Sequence, residues 1–149
     1  MKPEICIKKI WSSDDLIEIQ IYVCDGNALF FNSMYVREEK LLDLVNSLNS
    51  FKSRHGGYVM DILLGAFGKE FELGAFFARL HILKTGFLYI ETHQQSEYFV
   101  FKEHLEASEA KMYLKVDPSR LDAFIDELAG LATGINSHAT LIGLHYRVL

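Results

Sequence analysis

The sequence holds little of several residue types, and each shortage removes a class of protein from consideration. Two cysteines, Cys6 and Cys24, are too few to build a disulfide scaffold in 149 residues, so we expect reduced thiols. Two prolines and ten glycines leave little material for a linker between domains. No apolar run approaches the roughly 18 residues that a membrane-spanning helix needs. One domain without a membrane span is the expectation.

Basic residues are also in the minority. The chain has 15 lysines and arginines against 20 aspartates and glutamates, a net charge of −5, which disfavours binding to nucleic acid or to anionic lipid. The imbalance is concentrated between residues 91 and 109, where Lys102 stands against five glutamates: Glu91, Glu97, Glu103, Glu106 and Glu109. This segment is either a solvated acidic face or a patch for a basic partner.

Motifs of known chemistry are missing as well. The sequence has no Walker loop, no dinucleotide-binding glycine fingerprint, no HExxH, no paired CxxC and no nucleophile elbow. The start of the chain, Lys2-Pro3-Glu4, leads directly into strand-like alternation and not into a signal peptide. We therefore expect a cytoplasmic protein that is not an enzyme and that uses neither a cofactor nor a metal.

What the sequence does contain is one hydrophobic pattern that occurs twice, 80 residues apart. The pattern is typical of an amphipathic helix that follows a strand ending in valine. Its two occurrences are Val36, Leu41, Leu44, Val45, Leu48 and Phe51, and then Val116, Leu121, Phe124, Ile125, Leu128 and Leu131. The second helix also has clear ends, because Asp117 and Pro118 begin it and Gly134 ends it. Two helices are therefore predicted, over residues 37–52 and 118–133.

The rest of the chain favours strands. Alternation and turn residues predict them at 5–11, 16–23, 28–36, 58–65, 71–80, 87–93, 97–105 and 110–116. Strands joined by tight turns are mostly antiparallel. The predicted fold class is α+β: one bent, mostly antiparallel β-sheet with both helices packed on one face. Residues 1–134 form the domain, and residues 135–149 form an edge strand or a docked tail, through which a homo-oligomer could assemble by pairing sheet edges.

The face of the sheet without helices is the candidate site. Alternation places Phe87, Tyr89, Glu91 and His93 on one side of their strand. With the neighbouring segment, the predicted partner-binding residues are Phe87, Tyr89, Glu91, His93, Glu97, Lys102 and His104. Aromatic residues flanked by charges are common in protein interfaces. Three other interpretations stay open: a small second core beneath a folded-over strand, ordinary exposed polar residues, and a metal site of Glu91 and His93 with His81 or His104.

The layout resembles a group of small bacterial α+β domains, some of which are assigned as immunity proteins of toxin systems. The resemblance lies in Trp11 with the turn Asp14-Asp15, the helices at 41–51 and 121–131, and the glycine hairpin before Phe87. It implies a cytoplasmic, non-enzymatic protein that neutralises a partner by binding it. The acidic composition would suit a basic partner such as a nuclease toxin.

Two alternatives to this interpretation remain. One is a small-molecule-binding domain or enzyme with its pocket between the sheet and the helices. The other is a binder similar to the secretion chaperones, which are also small, acidic α+β proteins. Such chaperones begin with a helix, however, and this sequence begins with strands.

Overall fold

The computed structural model describes residues 1–54, 58–68 and 73–145. Within them the chain forms ten β-strands, two α-helices and one 3-10 turn. In chain order the elements are β1 (Glu4–Ser13), β2 (Leu16–Cys24), β3 (Leu29–Arg37), α1 (Glu38–Lys52), β4 (Val59–Gly65), β5 (Ala75–Ile82), β6 (Leu88–Gln95), β7 (Phe99–Phe101), β8 (His104–Glu106), β9 (Glu109–Val116), the 3-10 turn (Pro118–Arg120), α2 (Leu121–Thr133) and β10 (His138–Ile142). None of the described helices is both long enough and apolar enough to cross a membrane.

The predicted α+β class with antiparallel strands is confirmed, but the strands do not form one continuous sheet. Sheet I has the order β10-β1-β2-β3, sheet II has the order β4-β5-β6-β9, and β7 with β8 forms a separate hairpin. Every pairing between neighbouring strands is antiparallel. The division arises at the helices, because each of them carries the chain from one sheet to the other.

The two helices occupy equivalent places in this topology. α1 leads from β3, an edge of sheet I, to β4, an edge of sheet II. α2 leads from β9, the other edge of sheet II, to β10, the other edge of sheet I. The repeated hydrophobic pattern therefore marks two crossover helices, and each one delivers a strand to the opposite sheet.

The core lies between the inner faces of the sheets and the two helices, in a single cluster. Alternation in β2 buries Ile17, Ile19, Ile21 and Val23, as their spacing predicts. All twelve residues of the repeated pattern are buried as well. Both predicted stripes are confirmed, and they fix which side of each helix faces the sheets.

The ends of the helices follow from local chemistry. The Asp117 carboxylate accepts a hydrogen bond from the Ser119 amide at 3.0 Å, and that bond lowers the pKa of Asp117. Gly134 ends α2 with a φ of 86°, a conformation that glycine adopts without strain. α1 has no capping side chain at its first residue; the Glu38 amide donates instead to the Asp15 carbonyl oxygen at 2.8 Å.

Polar contacts join the sheets where sheet I meets sheet II beside β3. The Asn32 side-chain amide donates to the carbonyl oxygens of Gln95 at 2.6 Å and Ala75 at 3.3 Å. A Cβ on Gly74 would lie 2.5 Å from the Asn32 Nδ2 and 2.9 Å from the Gln95 carbonyl oxygen. Glycine at this position therefore permits the close approach of the two sheets. We call this junction of Asn32, Gly74 and Gln95 the seam.

Three sequence-based assignments differ from the structure or fall partly outside it. The strand predicted at 97–105 is wrong, because Lys102 adopts a φ of 57° and the chain reverses there into the β7–β8 hairpin. Part of the strand predicted at 71–80 lies outside the described residues, and the described strand runs Ala75–Ile82. In the segment 135–149, of which 146–149 lie outside the described residues, β10 is an edge strand of sheet I that pairs with β1 of its own chain. Its Ala139 and Leu141 lie in the same core cluster as residues 1–134.

Candidate interaction surface

The outer face of sheet II carries no helix and presents the predicted strand residues in rows. On β6, Tyr89 and Glu91 are exposed and His93 is half-buried, while Leu88, Ile90 and Thr92 point into the core. Across the strands, Tyr89 lies between His81 and Lys115, Glu91 between Arg79 and Tyr113, and His93 between Phe77 and Lys111. The predicted division of this strand into two faces is therefore confirmed.

An ion pair lies beside Glu91. The Arg79 guanidinium donates two hydrogen bonds to the Asp61 carboxylate, at 2.8 and 2.9 Å. This pairing lowers the pKa of Asp61 and raises the pKa of Arg79. The neighbouring Glu91 also raises the pKa of Arg79. Arg79 thus forms an ion pair with Asp61 and lies opposite Glu91 on β6.

His93 is held by contacts on two sides. Its Nε2 lies 2.9 Å from the Glu109 Oε1, and its ring stacks on Phe67 with the centroids 4.5 Å apart. In the part of the chain that the structure describes, no three His, Cys, Asp or Glu side chains form a group that could hold a metal ion. The alternative interpretation, in which Glu91 and His93 bind a metal with His81 or His104, therefore has no geometric support.

Phe87 precedes β6 and is half-buried beneath a cation. The Lys115 ammonium lies 4.0 Å from the centroid of the Phe87 ring. The Lys115 side chain thus partly covers the Phe87 ring. Phe87 therefore lies beneath the exposed surface of this face more than within it.

The β7–β8 hairpin is the most exposed apolar element of the described chain. All residues from Phe99 to Glu106 are exposed, and Val100 reaches 74%. The large apolar side chains are Phe99, Val100, Phe101 and Leu105. Lys102 occupies the turn, with its ammonium 5.7 Å from the centroid of the Phe101 ring. Because the hairpin protrudes after β6, Lys102 and His104 do not continue the rows of the sheet II face as predicted.

Glu97 belongs neither to the sheet II face nor to the β7–β8 hairpin. Together with Glu18 and Phe31 of sheet I, it lines a cavity at the seam. The seven predicted residues are therefore divided among the sheet II face (Phe87, Tyr89, Glu91, His93), the hairpin (Lys102, His104) and the seam (Glu97).

Sequence reasoning overlooked a second aromatic surface, on the outer face of sheet I. Trp11 and Tyr35 form an edge-to-face pair with centroids 6.1 Å apart, and Phe31 is exposed nearby on the same strand as Tyr35. The alternation of β3 contained the signal, since Asn32, Met34 and Val36 are buried. Phe31 and Tyr35 therefore had to face outward.

We compared the chain with models of protein families, with curated proteins and with solved structures, and none of them matches it.

Proposed function

We propose that this protein is a protein-interaction module that binds a basic protein partner through the β7–β8 hairpin and the adjoining sheet II face. The observation that carries the proposal is the exposure of Phe99, Val100, Phe101 and Leu105 on one short hairpin. Strand pairing places Phe99 and Phe101 on one face of the hairpin and Val100 and Leu105 on the other. An exposed apolar patch is costly in water and commonly marks an interaction site. Aromatic residues in such a patch contribute strongly to binding once a partner excludes water from them.

Charge selects the kind of partner. Residues 96–109 hold four glutamates and one lysine, a net charge of −3 with His104 neutral. Glu103 and Glu106 are exposed within the hairpin, and Glu97 and Glu109 flank it. An apolar centre with an acidic rim favours a basic protein, because complementary charges accelerate encounter and disfavour acidic competitors.

We further propose that the module acts by occupying its partner, in the manner of an immunity protein, and not by catalysis. The polar groups of the sheet II face engage one another: Arg79 holds Asp61, and His93 holds Glu109. Such pairs give a face of fixed shape and charge, which suits recognition. The resemblance in layout to immunity domains, and the cytoplasmic location that it implies, support the same proposal.

The test compares hairpin variants in capture and in binding. Tagged wild-type protein is used to capture partners from the native host, and the partner found is then purified and titrated at several salt concentrations. Phe101→Ser is expected to weaken binding by about tenfold or more, since central aromatic residues dominate such interfaces. Glu103→Lys with Glu106→Lys is expected to weaken it further at low salt.

Ile135→Ser is the matched control, because Ile135 is an apolar residue 83% exposed outside the hairpin. It is expected to leave binding unchanged. A partner of acidic charge, or binding that Phe101→Ser and Ile135→Ser affect equally, contradicts the proposal. Assay of the partner's own activity with and without bound protein then tests neutralisation, and a fully active complex argues against the immunity role.

A further inference from the structure

Strand β4 is an edge of sheet II, and the directions of its backbone groups can be worked out from the turn between β5 and β6. There the Leu83 amide donates to the Phe87 carbonyl oxygen at 3.1 Å. In an antiparallel sheet the backbone groups of successive residues point alternately to the two neighbouring strands. Every second residue before Leu83 therefore bonds to β6, and the residues between them bond to β4. Those that bond to β4 are Leu80, Ala78 and Phe76, and their partners are Met60, Ile62 and Leu64.

The other residues of β4 direct their N–H and C=O groups away from β5. They are Val59, Asp61, Leu63 and Gly65, and all four are exposed. The turn after β6 gives the same alternation, because the Ser96 amide donates across to β9. Among the described residues, no backbone group outside sheet II bonds to β4. The edge therefore offers unpaired donors and acceptors from one end of the strand to the other.

β4 also lacks the features by which proteins usually block such an edge. Exposed edge strands are commonly very short, bent by a bulge, or supplied with lysine or proline, because an unpaired edge attracts other strands. β4 has seven residues, contains neither lysine nor proline, and pairs with β5 without a shift in register. Its one charged residue, Asp61, is held by Arg79. The edge is thus able to accept another strand.

A groove runs along this edge, between β4 and α1. Three cavities of about 510, 90 and 260 Å³ form it. The first two share Lys40, Asp43, Leu63 and Leu64, and the last two share Ser47 and Met60. The middle cavity is lined by every residue from Met60 to Leu64, although these alternate between the two faces of the sheet. It therefore lies at the edge of the strand and not on either face. We call the three cavities together the β4 groove.

The backbone of an extended polypeptide matches this groove. Unpaired N–H and C=O groups at every second residue are the groups to which a strand adds when a peptide extends a sheet. Side chains of an added strand that point inward would lie between α1 and the inner row of β4. The apolar residues that line the groove there are Leu44, Phe51, Met60, Ile62 and Leu64. On the outer side, Val59 and Leu63 are 52% and 49% exposed. Apolar side chains at every second residue of the occupant would cover this surface.

The charge of the groove differs from that of the hairpin. Its lining holds as many basic as acidic residues, namely Arg37, Lys40 and Arg54 against Glu39, Asp43 and Asp61. A segment of little net charge therefore complements it, whereas the acidic hairpin favours a basic surface.

The wide end of the groove favours a single strand over a second copy of this chain. The cavity of about 510 Å³ is lined by Leu63, Leu64 and Gly65 of β4 and also by residues 35–37 at the end of β3. A strand that enters here has protein on both sides. The β4 strand of another copy would bring its own β5 behind it, and that second strand would collide with β3.

We propose that the β4 groove binds an extended segment of a protein partner, which has apolar side chains at every second residue and little net charge and pairs with β4 as an added strand. This inference does not depend on the hairpin and goes beyond the proposed function. It gives the module a second binding surface at the β4 edge of sheet II, whereas the hairpin leads into β9 at the opposite edge.

Amide hydrogen exchange tests the edge in the free protein. The amides of Asp61 and Leu63 are expected to exchange about a hundredfold faster than those of Ile62 and Leu64, because only the second pair bonds to β5. Equal protection of the two pairs would show that the edge is already covered, and the proposal would then be wrong.

The probe for binding is a phage-displayed library of random dodecapeptides, selected against the intact protein. Selected peptides are expected to carry apolar residues at every second position, and binding of a synthetic copy should protect the Asp61 and Leu63 amides. Methylation of the peptide nitrogens on the side that meets β4 should weaken binding by about tenfold or more, and methylation of the intervening nitrogens by less than about twofold. The absence of any selected peptide, or equal effects of the two methylated forms, overturns the proposal.

Variants at Leu63 locate the site. Leu63→Pro removes an N–H that points out of the sheet, and edge positions of this kind tolerate proline. It is expected to lower the affinity for the peptide by about tenfold. Leu63→Thr keeps the N–H and is the matched control, with an expected change of less than about threefold. Melting curves show whether both variants fold; if Leu63→Pro does not, the methylated peptides decide.

The Phe101→Ser variant separates this inference from the proposed function. It is expected to bind the selected peptide as the wild type does, and a peptide that it binds more weakly lies on the hairpin and contradicts the groove. If Phe101→Ser retains the basic partner while Leu63→Pro loses the peptide, the proposed function fails and the groove stands. Sedimentation of the free protein tests for a second copy. A monomer supports a partner segment, whereas a dimer that Leu63→Pro dissociates overturns it.

Discussion

The Asn32 side chain of sheet I donates a hydrogen bond to the Gln95 main-chain oxygen of sheet II at 2.6 Å. The same amide group also reaches the Ala75 oxygen at 3.3 Å. One buried side chain on β3 therefore satisfies two carbonyl groups on β5 and β6. It joins the sheets at the place where the seam cavity opens.

Asn32→Leu should destabilise the fold, because it leaves both carbonyl oxygens without this donor. We expect the free energy of unfolding to fall by about 2 kcal/mol, as for other buried polar groups that lose a partner. Urea denaturation measures the change. Ser33→Ala, next to Asn32 on the opposite face of β3, is the control and should lower the free energy of unfolding much less. Equal losses from the two variants would show that the Asn32 hydrogen bonds do not stabilise the junction of the sheets.

Gln94→Met should have the opposite effect. Gln94 is fully buried, and neither its Oε1 nor its Nε2 has a hydrogen-bond partner in the described part of the chain. Replacing it with an apolar side chain of similar length should raise the free energy of unfolding by about 1 kcal/mol. Gln95→Met is the matched control, since the Gln95 Oε1 accepts from the Gly68 amide at 3.4 Å, and it should not stabilise the protein.

Leu141→Ala tests whether β10 belongs to the core. Leu141 is 2% exposed and lies in the same apolar cluster as the helices, so truncation should cost about 3 kcal/mol. Ile142→Ala, on the half-buried opposite side of β10, should cost less. Removal of everything after Gly134 should prevent stable folding; a truncated chain that melts like the full one would contradict this assignment.

Asp61 should contribute to acid sensitivity. Its pKa is lowered in the folded state, so its stabilising effect is present above the ordinary aspartate value and is lost as the pH falls through the lower folded-state pKa. Asp61→Asn should therefore lower stability at pH 7 and converge with the wild type in strong acid. Urea titrations at each pH measure this, with Asp43→Asn, an exposed aspartate outside the described ion pairs, as the control.

Excision of the hairpin should leave the domain folded. Residues 99–106 are exposed throughout, and the Ser96 amide still donates to the Ser108 carbonyl oxygen at 2.8 Å below them. Replacing them with Asn-Gly closes the β6–β9 connection with a favourable turn. We expect a melting temperature within a few degrees of the wild type, about the shift that 1 kcal/mol causes in a domain of this size. A large loss would assign the hairpin a structural role.

Sequence periodicity predicted most of the local structure. Alternation in β2 and the repeated helical pattern identify buried residues directly, because one face of each element must meet the core. The faces of β6 followed for the same reason. These features depend only on near neighbours in the chain.

The remaining features depend on contacts that are distant in sequence. The reversal at Lys102 needs a left-handed conformation in a residue other than glycine, for which the sequence offers no signal. The division into two sheets depends on where β4 and β10 find their partners. Glu18 and Glu97 line the same seam cavity although they are far apart in the sequence. Periodicity alone could therefore not place them together.

Because each helix connects a strand of one sheet to a strand of the other, the topology also sets the order in which the fold is completed. β4 meets β5 soon after both are made, but Glu4 of β1 pairs with Ile142 of β10. During translation one edge of β1 therefore stays open until residue 142 has left the ribosome. Contacts so far apart in sequence form slowly, so nascent chains carry this unpaired strand edge for most of their synthesis. Stalled or prematurely terminated chains of this protein would then be prone to aggregate through sheet I.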